Sequence, residues 1–258
     1  MRVLLVTHQA PPHIGGVEQA VQMEAESLLA AGHEVVWVTS DGAGAGAPLP
    51  ERSGLRMVRV RAWHALERWF GIAYPFHVPT LFPVLWREVG AADLVHVHGL
   101  VFEGSIVAAV FARLRGRRCL LTDHGGILRY RSRAGTLALR VLIETAGRLT
   151  ARCAHRLVAI NADIERLLGR LSGRPADVVA LGHPVLHARF APPTPAQRRA
   201  ARKAFGWDER PRVLCVGRLV PHKGVDVLLA AIEPGIALVF CGPADARTVA
   251  KIRAAGAE

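Results

Sequence analysis

Two observations predict an α/β fold built on a parallel sheet. Short apolar runs recur along the 258 residues, and helical patterns separate them. Runs that stay apolar, rather than alternating with polar residues, belong to strands covered on both faces, and helices between such strands supply the cover. The expected architecture is a Rossmann-like domain followed by the start of a second one.

The elements follow in order. Arg2 to Thr7 is the first apolar run. Val17 to Ala31 carries Val17, Val21, Leu28 and Leu29 at helical spacing and stops at Gly32, a residue suited to a C-cap. Strands are expected at 34–39, 55–60, 93–98, 117–122, 155–160 and 177–181, and helices near 103–115, 137–152 and 162–171. The stretch "DGAGAGAPLP" at 41–50 has little apolar area to bury and no period, so it reads as a surface loop. Segment 61–90 interleaves Trp63, Trp69, Phe70, Tyr74, Phe76, Phe82 and Trp86 with prolines and cations. Core packing is the expectation for most of these rings, with an acceptor-facing or membrane-facing surface for the rest.

Residues 1–190 thus form the first domain. "APPTPAQRRAARKAFG" at 191–206 reads as a linker helix: Thr194 can cap, Pro195 suits the first helical position, and Gln197 completes a capping box. Over 207–258 a new β-α-β pattern begins, with strands at Val213–Val216 and Ala237–Cys241 and helices at 224–232 and 244–255. Two strands are too few for a doubly wound domain, so this second domain is expected to be incomplete.

Composition narrows the class. A hydrophobic fraction of 51% with 21% charge excludes disorder as the main state. No apolar stretch reaches the roughly 18 residues of a membrane span, and "MRVLLVTHQAPP" has too short an apolar core for a signal peptide. A cytoplasmic protein is expected. Cys119, Cys153, Cys215 and Cys241 are widely spaced and suit reduced core positions. Lys+Arg 33 against Asp+Glu 21 gives a net charge of +12. That suits a phosphorylated substrate or an anionic membrane, although biased codon composition in an Ala- and Arg-rich chain would give the same excess. The cations are scattered and no recognition motif accompanies them, so nucleic acid is not an expected partner.

Ligands of open parallel sheets bind at the carboxyl ends of strands, which directs attention to three loops. In "HQAPPHIGGVEQA", Gly15 and Gly16 stand directly ahead of a helix, where bare backbone amides can approach a phosphate; a tight turn could use the same pair. In "TDHGG", His124 ends a strand. In "VGRLVPHKG", Arg218 and Lys223 flank a proline at the start of a helix. There they would either hold a diphosphate or stand as solvated loop charges. His96 and His98 share one face of a strand. Without an H-x-H-x-D-H pattern or an evident bridging carboxylate, packing or acceptor contact is expected of them, and no metal.

The segments "PPHIGGVEQAVQMEAESLLAAGHEVVWVTS", "DLVHVHG", "LLTDHGG", "AHRLVAINADIERLLGR" and "RVLCVGRLVPHKGVDVLLAAI", in that order, resemble the retaining nucleotide-sugar-dependent glycosyltransferases of family 4. The resemblance covers nearly the whole chain and implies the GT-B architecture of two Rossmann-like domains. It implies that Arg218 and Lys223 bind the donor diphosphate, that Gly15, Gly16 and Gly242 lie on the donor side, and that His124 borders the donor sugar. Acceptor contacts fall on His98 and Glu18. The implied reaction moves a hexose from a nucleoside-diphosphate sugar to a carbohydrate or lipid-linked acceptor with retention, without a metal, at most peripherally on the inner face of the cell membrane. The family's turn at the end of the first domain is replaced by "ALGHPVLHARF", and its glutamate pair spaced eight apart is expected beyond position 258. A catalytically silent remnant that weakly binds an acceptor or nucleotide is the alternative.

Overall fold

The structure is a computed structural model that describes residues 1–13, 15–42, 53–65, 74–125, 133–182, 184–185, 190–220 and 223–256. Two compact units divide at Val185 and Leu186.

In the first unit seven strands form one sheet: β1 (Arg2–Val6), β2 (Glu34–Ser40), β3 (Leu55–Val60), β6 (Leu94–His98), β7 (Arg118–Asp123), β8 (Arg156–Ala159) and β9 (Val178–Ala180). Their order across the sheet is β3-β2-β1-β6-β7-β8-β9, and every pairing is parallel. The chain winds outward from β1 to β3, then returns to β6 on the other side of β1 and winds outward again. That reversal makes the β1/β6 junction a topological switch point, where the carboxyl ends of neighbouring strands open into a crevice.

Alternation along β1 divides the core. Val3 and Leu5 face α1 (Gly16–Ala30), packing with Val21, Ala25, Val35 and Trp37. Leu4 and Val6 face the opposite side. There they meet α2 (Leu81–Ala91), α3 (Glu103–Leu114), α5 (Arg148–Cys153) and α6 (Ala162–Ser172). The small buried residues of α3, Gly104, Ser105, Ala108, Ala109 and Ala112, let that helix lie close on the sheet. Helix α4 (Arg133–Leu142) runs into α5 through a π-helical turn, Ile143–Gly147. Its own residues are all at least partly exposed, whereas Ile143, Gly147, Thr150 and Ala151 are buried.

Segment 61–90 departs from the core-packing expectation. Beyond a short antiparallel pair, β4 (Ala62–Trp63) with β5 (Phe76–His77), it contains α2. Trp63 is 58% exposed, and Phe76, Phe82 and Trp86 are also exposed; Trp69 and Phe70 lie outside the described residues. Helix α2 seats Leu81, Leu85 and Val89 against the sheet, so Phe82 and Trp86, one turn apart, fall on its outer side. Pro83 sits within the first turn, where a missing amide costs no intrahelical bond. Most of the glycine-alanine loop, 43–50, also lies outside the described residues.

The second unit begins with α7 (Pro195–Ala204), whose capping box between Thr194 and Gln197 forms as expected. A two-stranded parallel sheet follows, β10 (Arg212–Val216) with β11 (Ala237–Cys241), and with it α8 (Val225–Ala231) and α9 (Ala246–Ala254). Leu219, Val225 and Ile252 form its small core. β10 leaves Val213, Leu214 and Val216 exposed.

Candidate functional site

In the first unit the predicted residues gather at the carboxyl ends of β1, β6 and β7. Gly15 is the N-cap of α1 in extended conformation, with no side-chain cap. A Cβ on Gly15 would stand 2.1 Å from Glu18 Oε2, so the glycine makes room for that carboxylate. Glu18 is buried, and its Oε1 lies 2.8 Å from His13 Nδ1. Burial pushes its carboxyl up, but the contacts with His13 and with its own backbone amide outweigh this and hold it below the usual range. An acidic group therefore already stands at the positive end of α1.

His8, which follows β1, stacks on Phe102 with ring centroids 3.8 Å apart and planes 4° from parallel. Desolvation is the main reason its pKa falls to about 4. The neutral ring is thus buried near Glu18, whose charge opposes that shift only in part.

Strand β6 directs Leu94, His96 and His98 to the α1 side and Val95 and Val97 to the other. His96 Nδ1 is 2.6 Å from Glu24 Oε1, and its Nε2 is 2.8 Å from the Thr122 hydroxyl. His98 Nε2 is 3.4 Å from Glu24 Oε2, and its Nδ1 is 3.1 Å from His124 Nε2. His98 is fully buried; desolvation first, then His96, His124 and His8, push its pKa well below 6.5. Both of its ring nitrogens face protein groups. The bridging carboxylate that the sequence did not reveal is Glu24, half-buried on the sheet-facing side of α1. One signal for it existed. Val17, Val21 and Leu28 trace a helical stripe with position 24 as its missing member, and a glutamate there must find a polar partner on the sheet.

Gly99 follows His98 directly at φ +96, where a Cβ would also strike the Phe102 ring at 2.4 Å. This turn lets the Ser105 hydroxyl donate to the His98 carbonyl at 3.1 Å. Gly126, after His124, lies outside the described residues.

In the second unit Arg218 and Lys223 are exposed on the loop between β10 and α8. The loop itself is pinned. Leu219 N–H donates to Pro243 O at 2.8 Å, Gly217 N–H to Cys241 O at 2.9 Å, and Lys223 N–H to Val220 O at 2.9 Å. Gly242 has φ +151, and a Cβ there would lie 1.9 Å from Gly217 O. Only glycine allows the loops after β10 and β11 to meet so closely. Pro221 and His222 lie outside the described residues.

The family model of a glycosyl transferase 4-like domain matches residues 15–184. The chain belongs to this family. Among relatives of this family member are two GDP-mannose-dependent alpha-(1-6)-phosphatidylinositol monomannoside mannosyltransferases. That of Mycolicibacterium smegmatis is 27% identical over 259 residues, covering 93% of this chain and 61% of the relative. That of Mycobacterium tuberculosis H37Rv is 28% identical, covering 93% and 60%. The chain spans about three fifths of the length of these relatives. Among solved structures, Anabaena HepE in complex with UDP and glucose has a TM-score of 0.70 at 16% identity, covering all of this chain and 67% of that one. Sucrose-phosphate synthase of Thermosynechococcus elongatus has a TM-score of 0.71 at 18% identity, covering 99% and 68%. At such identities the likeness is one of fold, and the fold is that of GT-B glycosyltransferases.

Proposed function

We propose that the protein is a retaining glycosyltransferase that moves a hexose from a nucleoside-diphosphate sugar to a carbohydrate or lipid-linked acceptor. The observation that carries this reading is the pinned loop after β10, which presents two exposed cations, Arg218 and Lys223, ahead of a helix in a chain of this family. Sugar transfer has an oxocarbenium-like transition state, and its leaving diphosphate gains negative charge. Cations fixed beside that diphosphate stabilise the transition state more than the ground state. In this reading Arg218 and Lys223 supply that charge without a metal, Gly15, Gly16 and Gly242 border the donor, and His124 borders its sugar. Same-face attack, with a phosphate oxygen taking the acceptor proton, gives retention without a protein nucleophile. The relatives' GDP-mannose makes mannose the first donor to try.

A cytoplasmic protein held peripherally on anionic lipid fits the same reading. Among the described residues no helix is long and apolar enough to cross a membrane. Helix α4 exposes Leu137 and Val141 together with Arg133 and Arg140.

The test is transfer from a panel of GDP- and UDP-sugars. Arg218→Ala or Lys223→Ala should lower kcat/KM by about 2–4 kcal/mol in transition-state terms. Turnover within twofold of wild type in both variants would sink the assignment.

A further inference from the structure

In sequence, His96 and His98 have no evident bridging carboxylate; the fold supplies one. Helix α1 lays Glu24 over β6, and the ligand atoms of Glu24, His96 and His98 all lie within 4.8 Å of one another. His98 is 2% exposed, yet its Nε2 has no hydrogen-bond partner among the described residues. That nitrogen faces Glu24 Oε2 at 3.4 Å, too long for a good hydrogen bond. A buried ring nitrogen left without a bond costs stability unless something else engages it. Donor atoms around a tetrahedral ion at about 2.0–2.1 Å stand about 3.3 Å apart. The 3.4 Å between His98 and Glu24 is thus the spacing of two ligands that share one cation.

We propose that Glu24, His96 and His98 form a structural Zn(II) site that clamps α1 to β6, with the carboxylate, His96 Nδ1 and His98 Nε2 as ligands. The donor set selects the ion. Two imidazoles and a carboxylate suit zinc, with water in the fourth position, whereas Mg(II) and Ca(II) seek shells made of oxygen. Both rings are also held from behind. His96 Nε2 lies 2.8 Å from the Thr122 hydroxyl, and His98 Nδ1 lies 3.1 Å from His124 Nε2. Metal-binding histidines carry orienting contacts of this kind on their second nitrogen. His96 Nδ1 lies 2.6 Å from Glu24 Oε1, the distance of a hydrogen bond. Ligation through Nδ1 moves that ring proton to Nε2, where it points at Thr122, and a hydroxyl can accept as well as donate. The two atoms then part by about 0.7 Å to reach ligand spacing. Glu24 can make that movement and admit the ion, because its side chain is 29% exposed. The transfer proposed above needs no such ion, and the site does not depend on that reading.

The experiment is a titration of the untagged 258-residue chain, stripped by a chelator, with Zn(II) alone and with Co(II) alone near pH 7.5. Expected is one equivalent of Zn(II) bound with a Kd of about 1 µM or below. The Co(II) adduct should show the intense visible bands of four-coordination. Ring ¹⁵N spectra should show Zn(II) shifting His96 Nδ1 and His98 Nε2 ahead of any other of the 12 histidines. At about a hundredfold excess over Kd, Zn(II) should raise the melting midpoint by about 5 °C or more. Glu24→Gln can still accept from His96 and donate to His98, but it lacks the charge; it should fold and bind Zn(II) about a hundredfold more weakly. Thr122→Val should weaken binding about tenfold. Wild type that takes up no stoichiometric Zn(II) at about 100 µM overturns the proposal, whether or not a variant folds. Equal affinity in a folded Glu24→Gln overturns it too. So does Zn(II) that shifts other histidines and leaves His96 and His98 unmoved, which marks binding to the surface only.

Discussion

Burial at His8 converts a residue that titrates near neutrality into one that stays neutral to about pH 4. Below about pH 6.5 the unfolded chain takes up a proton at this position that the folded chain refuses, so stability falls as pH falls through that window. For His8 alone the loss at pH 5 is about 2 kcal/mol. His98 is depressed for the same reason and acts in the same direction. The urea midpoint of the first unit should therefore drop between pH 7 and pH 5. His8→Phe, which keeps a ring against Phe102, should flatten that dependence, and an unchanged slope would count against this account.

At the scale of elements, α4 and α2 both show outward-facing apolar residues, for different reasons. In α2 the inner stripe is already filled by Leu81, Leu85 and Val89, and Phe82 and Trp86 are left over. In α4 the π-helical turn changes the phase between α4 and α5, so the face that α5 buries does not continue along α4. The chain should bind vesicles containing anionic lipid more strongly than neutral ones. Leu137→Asp together with Arg140→Glu should cut the bound fraction at least severalfold in co-sedimentation. Equal binding by this variant would separate α4 from any membrane role. The continuous apolar strands, the stop at Gly32 and the Thr194–Gln197 box were readable because each depends on residues close in sequence. The α2 helix was not, since aromatic rings and Pro83 obscure its inner stripe. Glu24 was readable only as a gap in the stripe of α1, because its partners lie on β6, about seventy residues away.

For the whole molecule the two units are unequal. The first is cored by seven strands with helices on both faces, whereas the second relies on Leu219, Val225 and Ile252 and leaves β10 open. Amide exchange should show it: β10 and β11 should exchange at least about a hundredfold faster than β1, β6 and β7, a gap of about 3 kcal/mol in opening free energy. Equal protection would mean that something outside these contacts stabilises the second unit. The strand order of the first unit also has a consequence in time. β1 pairs with β2 on one edge, but the partner on its other edge is β6, from Leu94 onward. At about 5–20 residues per second, the ribosome needs roughly 4–17 s to lay down residues 7 to 93 before that partner exists. Half a sheet is thus made first, and the newborn chain meets the cell's chaperones with one side of Val3-Leu4-Leu5-Val6 still unpaired.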